Sequence, residues 1–417
     1  MTVIADISLA DAGQDRIAWA DSQMPVLGLL AERFAGSRPL DGVRVAACLH
    51  VTAETANLVL ALVAGGARVA VAAANPLSTQ DDVAAALVAR HGVDVFAVHG
   101  EDLDAYARNV AALVAGEPQV TLDDGADLLS VLHEARPDLL PALIGGTEET
   151  TTGLLRLRGM AGAGRLACPV LAVNEALGER LFNDHYGTGQ STLDGILRAT
   201  NLLLAGRTVV VLGYGWTGKG IAARARGAGA SVIVCEVDSV RALEARMEGF
   251  EVMPALAAAA RGDVFITVTG SRDVLRREHF EAMRDGAVLA NAGHFDVEIS
   301  LGDLRAAADA PARAVLPLVD QYEVAGRRLN LLAGGRVVNL AAGQGHPAAV
   351  MDISFATQAL CVEHLVGHGG DLGAGVHPVP DAIDREVARL KLDSLGVAID
   401  ELSAEQQGYL RSWAQGD

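Results

Sequence analysis

Between residues 43 and 146, short apolar runs alternate with alanine-rich stretches whose apolar positions recur at helical spacing. The runs at 43–49, 67–73, 94–98 and 119–122 have strand length, and their alternation with helices predicts a parallel α/β sheet. Residues 1 to about 40 read as a capping segment and a helical pattern, and 169–173 adds a strand. A second series at 208–212, 231–237, 264–269, 287–291 and 336–340 predicts a second sheet. The apolar helical stretch 350–366, after Pro347, is read as returning to the first domain. The fold class is thus α/β, with two parallel-sheet domains and a short helical C-terminal tail. The first domain is placed at 1–188 and completed by 347–382, the second at 189–346, and the tail at 383–417. Composition loosens around 185–190, where a hinge is expected.

Polar residues gather where the strands of the first series end. His50, Thr52 and Glu54 follow the first, Asn75 and Ser78 the second, and Asp123 and Asp124 the fourth. Ligands of open α/β sheets bind beyond the carboxyl ends of the strands, so the cluster predicts a substrate cleft. The run of acids and hydroxyls at 146–153 reads as a capped helix start. A helical pattern over 174–184 places Glu179 and Asn183 four apart on one face.

In the second series, the β-branched run 209–212 leads into Gly213, Gly215 and Gly218 and then a small-residue helix. That context is the dinucleotide fingerprint of a Rossmann domain: a tight turn, a backbone that a pyrophosphate can approach, and close helix packing. Glu236 ends the next strand, where an acid accepts hydrogen bonds from the adenosine ribose and repels a 2′-phosphate. The expected cofactor is NAD rather than NADP.

The net charge of −19, from 33 basic and 52 acidic residues, disfavours nucleic-acid and anionic-membrane partners. Cys48, Cys168, Cys235 and Cys361 are scattered without paired spacing, so neither a disulfide framework nor a metal site is expected. No stretch reads as long enough to span a membrane, and the N-terminus has no leader pattern. A cytoplasmic location is expected.

Several stretches together resemble the adenosylhomocysteinase (S-adenosylhomocysteine hydrolase) family over nearly the whole chain. They are Ala5-Asp-Ile-Ser-Leu-Ala-Asp, His50-Val-Thr-Ala-Glu-Thr, Ser78-Thr-Gln-Asp, Leu122-Asp-Asp-Gly-Ala-Asp, Glu148-Glu-Thr-Thr-Thr-Gly, the Gly213 loop, Met247-Glu-Gly, Gly293-His-Phe-Asp-Val-Glu-Ile and Gly345-His-Pro. The resemblance implies an NAD enzyme that oxidises the ribose 3′-hydroxyl of an adenine nucleoside and expels the 5′ substituent by elimination across C4′ and C5′. In the hydrolases water then adds and the hydride returns. By the same resemblance Thr52, Glu54, His346 and Met351 hold adenine, and Glu149 binds ribose hydroxyls. Thr150, Thr151, Thr152, Asp184 and Asn339 line the nicotinamide riboside. The cofactor set is completed by Gly213, Gly215, Trp216, Thr217, Gly218, Glu236 and Arg241. His50, Asp124 and His294 surround the 5′ carbon as acid–base groups.

The chain departs from the family pattern at Glu179, where the family has lysine, at Asn183, where it has aspartate, and at Thr188, where it has cysteine. The lysine–aspartate pair is the part thought to deprotonate the 3′-hydroxyl, so the base here is expected to be Glu179, Glu149 or a water-relayed histidine. These departures lead to the expectation of a nucleoside dehydratase, a lyase with internal NAD recycling. S-adenosylhomocysteine hydrolase, a nucleoside epimerase and a non-catalytic NAD-binding regulator are the alternatives. Trp216-Thr217 replaces the family's Asp-Val, and the end at Gly416-Asp417 lacks its basic tail. A homo-oligomer, dimer or tetramer, is expected from the family.

Overall fold

The computed structural model describes residues 2–411. Met1 and 412–417, including the Gly416-Asp417 end, lie outside the described residues. The chain first forms β1 (Arg44–Leu49), β2 (Arg68–Ala73), β3 (Asp94–Phe96), β4 (Val120–Asp123), β5 (Gly145–Glu148) and β6 (Pro169–Ala172). It then crosses to β7 (Thr208–Leu212), β8 (Ser231–Cys235), β9 (Glu251–Val252), β10 (Val264–Thr267), β11 (Ala287–Asn291), β12 (Arg313–Leu316), β13 (Val319–Val324) and β14 (Arg327–Leu332). It returns for β15 (Gly375–Pro378).

The first sheet has the order β15-β6-β5-β4-β1-β2-β3 and is parallel throughout. The second runs β12-β13-β14-β11-β10-β7-β8-β9. Its six strands from β14 to β9 are parallel and doubly wound. An antiparallel hairpin extends it, because Ala325 and Gly326 take φ of 50° and 72° in the two-residue turn between β13 and β14. In each sheet the winding direction reverses at one place, between β1 and β4 and between β7 and β10. Crevices at such switch points are where open α/β sheets bind ligands.

Three elements differ from the sequence reading. β5 was hidden in a stretch read only as a helix start, because it has no apolar side chain. Its glycines serve close packing instead: a Cβ on Gly145 would lie 2.7 Å from the Pro169 carbonyl oxygen, and one on Gly146 2.4 Å from Thr121 Oγ1. The strand expected at 336–340 is a helical turn, Val338–Ala341, set off by Gly334 and Gly335 at positive φ. The expected hinge at 185–190 is wound and packed. Glu179–Thr188 forms a π-helix that runs directly into the helix Gly189–Thr200. It crosses Trp216–Gly227 so closely that a Cβ on Gly220 would stand 1.8 Å from the His185 carbonyl oxygen.

The helix Ala348–His368 does return to the first domain, where Phe355, Ala356, Ala359, Leu360 and Val362 join its core. Against the sequence expectation, it is long and apolar enough to cross a membrane by length and composition. Its apolar surface is spent inside the domain, with 67% of its most apolar window buried. Ile383 and Val387 of the next helix, Asp381–Ser394, pack into the same core, so the boundary drawn at 382 falls inside a helix of the first domain. All four cysteines are free and buried.

Candidate active site

The switch point of the first sheet brings His50 and Asp124 together. His50 follows β1 and Asp124 follows β4, which pairs with β1 in register; Asp124 N–H donates to the Cys48 carbonyl. His50 Nε2 lies 3.2 Å from Asp124 Oδ2, and its Nδ1 lies 2.7 Å from Ser78 Oγ in the loop after β2. Both ring nitrogens are engaged, so the imidazole is held in one orientation. Beneath, Asp123 is fully buried and accepts from the N–H groups of Leu128 and Leu129. Burial raises its carboxyl to about 7 despite these bonds.

Two histidines come to this pair from elsewhere in the chain. His294, in the loop after β11, is open to the cleft yet close enough for the charges of Asp124 and His50 to act on it; crowding by the cleft walls and then the Asp124 charge oppose each other, with a net lowering of its pKa. His346 Nε2 is 3.0 Å from Thr188 Oγ1, and burial pushes its imidazole down to about 4, so it is neutral at pH 7.

Glu149, Glu179 and Asn183 meet on the helix Ala348–His368. Asn183 Nδ2 donates to Ser354 Oγ at 2.8 Å, Ser354 donates to Glu179, and Gln358 Nε2 donates to Glu149 at 2.6 Å. Burial, more than any charge, raises both carboxyls: Glu149 to about 8, Glu179 well above the carboxylate range. Asp184, partly exposed beside them, is raised by burial to about 6. Ser354 and Gln358 were not singled out from sequence. Their signal was two polar residues four apart in a long, largely apolar helix, the spacing that puts them on one face.

The remaining expected residues divide. Thr52 caps the helix Ala53–Ala64, and Glu54 in its first turn lines a cleft of about 590 Å³ with Trp19, Gln344 and His346. Among the described residues, Glu54 has no hydrogen-bond or ion-pair partner. Met351 is a turn below, its sulfur 3.7 Å from Asn183 Nδ2. Thr150 accepts from Gly153 N–H and donates to Glu148, so its hydroxyl serves the turn. Thr151 donates to Asn174 at 2.9 Å, and Thr152 stands beside it in the same first turn.

A dinucleotide fits the Gly213 loop. Gly213 takes φ of 106°, and a Cβ on Gly218 would meet the Gly213 carbonyl oxygen at 2.1 Å, so these two glycines are imposed by the turn and by packing. At Gly215 a Cβ would meet nothing nearer than Arg241 Nη1 at 3.8 Å. That open space beside a helix N-terminus and a guanidinium suits a pyrophosphate. Thr217 lies in the first helical turn, and Trp216 is exposed under Lys219, whose Nζ is 4.9 Å from its ring centroid. Glu236 accepts from the N–H groups of Tyr214, Val237 and Asp238 and remains partly exposed to the ribose side. Asn339 is buried with Oδ1 unpartnered, an acceptor left for a carboxamide or hydroxyl donor.

Family models match the chain in two blocks: S-adenosyl-L-homocysteine hydrolase over residues 1–139, and the NAD binding domain of S-adenosyl-L-homocysteine hydrolase over residues 184–345. The chain belongs to the S-adenosyl-L-homocysteine hydrolase family. An adenosylhomocysteinase of Aquifex aeolicus is 56% identical over 99% of both chains. One from Thermosynechococcus vestitus is 54% identical over 99% of this chain and 96% of its own. An S-inosyl-L-homocysteine hydrolase of Methanopyrus kandleri is 53% identical over 99% of this chain and 97% of its own. Membership makes NAD the cofactor of the Gly213 loop, and this S-adenosyl-L-homocysteine hydrolase family member is an enzyme acting on a small nucleoside substrate.

Proposed function

We propose that the chain hydrolyses the thioether of an adenine nucleosidyl-homocysteine, releasing adenosine and homocysteine. The observation that carries this reading is the His50–Asp124 pair at the switch point, with His294 across from it and the NAD loop on the facing sheet. The printed names of the relatives, adenosylhomocysteinase and S-inosyl-L-homocysteine hydrolase, support the reaction class.

NAD, held by the Gly213 loop, Glu236 and Asn339, would supply a reversible hydride acceptor for the ribose 3′ carbon. The side chains do the rest. Glu149 hydrogen-bonds ribose hydroxyls from a position fixed by Gln358. His50, oriented by Asp124 and Ser78, moves a proton at the 5′ side, and His294 orients water there. Neutral His346 offers no charge to repel, and the free carboxylate of Glu54 accepts from an exocyclic amine. A carboxylate opposite the carbonyl of hypoxanthine is repelled, which favours adenine over inosine-type substrates.

The dehydratase expectation rested on the exchanged residues at 179 and 183. By the family resemblance those positions serve the 3′-hydroxyl, a step that thioether hydrolysis and dehydration share. They therefore carry no information about the 5′ leaving group, and the relatives' names favour the thioether. Mass spectrometry of products from S-adenosylhomocysteine, S-inosylhomocysteine and plain adenine nucleosides tests the reading. Thiol release from the adenosyl thioether, at least about tenfold faster than from the inosyl one, is the expected result. A nucleoside that loses one water, with neither thioether cleaved, overturns it in favour of dehydration.

A further inference from the structure

Among the described residues, the 3′ side of the site holds two carboxyl groups and no cation facing them. Glu179 is buried at 3% exposure; Glu149 is half-buried and opens to the cleft. Both are fixed by one helix face, Glu179 through Ser354 and Glu149 through Gln358, one turn apart. Thr147 donates to Gln358 Oε1 at 2.6 Å, which leaves only the amide NH₂ to face Glu149. The other charged groups facing the pair are Asp124 and Asp184, both acidic. Arg180 acts on Asp184, and Lys391 is paired with Asp352. Two negative charges confined here without a cation are strongly disfavoured, so the pair retains a proton.

The residue at 183 fits the same arrangement. Ser354 has one hydroxyl hydrogen and gives it to Glu179, while Asn183 supplies a donor to the Ser354 oxygen. An aspartate at 183 would leave two carboxylates competing for that one hydrogen. Glu179 and Asn183 thus form a matched set. The charge balance matches as well: lysine, aspartate and Glu149 sum to one negative charge, as do Glu179, Asn183 and Glu149 holding one proton.

We propose that Glu149 and Glu179 act as a one-proton carboxyl pair whose ionised member takes the proton of the ribose 3′-hydroxyl. This rests on the reading of the site as one that oxidises a nucleoside at C3′. The hydroxyl O–H bond breaks to the carboxylate oxygen, and the hydride of the same carbon leaves for the oxidised nicotinamide. The carbon loses two electrons, the cofactor gains them, and the pair ends with two protons; the return step reverses each transfer. Glu149 is pushed up to about 8 by burial, and the positive charge of the oxidised nicotinamide favours ionising one member near neutral pH.

Infrared spectroscopy of the NAD-loaded protein carrying ¹³C-labelled glutamate, titrated with pH, reads the protonated carboxyl directly. A label-sensitive acid band persisting well above the usual glutamate range, and lost in Glu179→Gln, is the expected result. In the same variant, the acid limb of reduced-nicotinamide formation from adenosine alone stays in place or moves up, because Glu179 is still protonated when Glu149 ionises and its loss removes no negative charge. Absence of the band, its survival in Glu179→Gln, or an acid limb that moves down by about one pH unit or more each overturns the proposal. Bulk unfolding does not mimic this pattern, since the half-reaction must still proceed. A wild-type protein that shows the band and reduces its cofactor with adenosine, yet cleaves no thioether, refutes the thioether reading and leaves the pair standing.

Discussion

Glu149 and Glu179 bind protons in the folded protein over a pH range where an unfolded chain has released them. For Glu149 that window runs from 4.5 to about 8, and for Glu179 it starts at 4.5 and extends well above it. A carboxyl with a raised pKa contributes most to stability below its unfolded value and loses that contribution as pH rises through the folded one. Stability therefore falls with rising pH, by about 1.4 kcal/mol per unit for each whole proton held by the folded state alone. Asp123 and Glu148, also raised by burial, add to the same slope. Thermal unfolding at saturating NAD is expected to show the midpoint of wild type dropping between pH 6 and 9 and that of Glu179→Gln dropping less. Parallel curves would mean that Glu179 is ionised in both states. The glycines of the phosphate loop separate in a similar way. Gly218→Ala forces a Cβ against the Gly213 carbonyl and should cost about 1–3 kcal/mol of stability. Gly215→Ala meets only open space, so its unfolding midpoint should hold while NAD affinity, measured by calorimetry, falls.

At the scale of elements, the legible parts were those that advertise themselves by apolar periodicity. β1, β2, β7, β8, β10 and β11 were placed to within one or two residues, and the apolar stretch read at 350–366 lies within the helix Ala348–His368. β5 was not, because a strand made of Gly145, Gly146, Thr147 and Glu148 is stabilised by close backbone approach rather than by side-chain hydrophobicity. The hairpin of β12, β13 and β14 was missed for another reason: its strands are half-exposed, and the Ala325-Gly326 turn lacks the asparagine or aspartate that usually marks one. Among site residues, His50, Asp124, Glu179 and Asn183 stood out by type and position, whereas Glu149 and His294 were named through the family resemblance. Ser354 and Gln358 needed the fold, since nothing local says which side of a long apolar helix faces a cleft. Likewise the segment at 185–190 looked loose because it holds Gly187 and Gly189, and Gly189 is what lets two helices touch, a Cβ there meeting the Gly220 carbonyl carbon at 2.7 Å. Gly220→Ala is expected to separate Glu179–Thr188 from Trp216–Gly227 and to lower the unfolding midpoint, with Gly227→Ala, which meets no neighbour, as the neutral control.

The whole molecule is two sheets whose switch points supply different halves of one reaction, acid–base groups from the first and hydride chemistry from the second. The pieces of the first domain are not contiguous: β1 to β6 lie before residue 173, whereas Ala348–His368, β15 and Asp381–Ser394 come after the entire second sheet. During synthesis on the ribosome, the first half therefore waits, with the groove for Ala348–His368 uncovered, while the nucleotide domain emerges and can close on itself. Premature collapse of that groove is opposed by its own contents, since Glu149 and Glu179 resist burial until Gln358 and Ser354 arrive. A chain stopped before residue 347 should show protease resistance only over the second sheet, and adding the missing segment as a separate peptide should extend it to the first. The late helix thus sets the order of assembly: the cofactor's domain is complete before the substrate's, and the catalytic carboxyl groups are brought into place last.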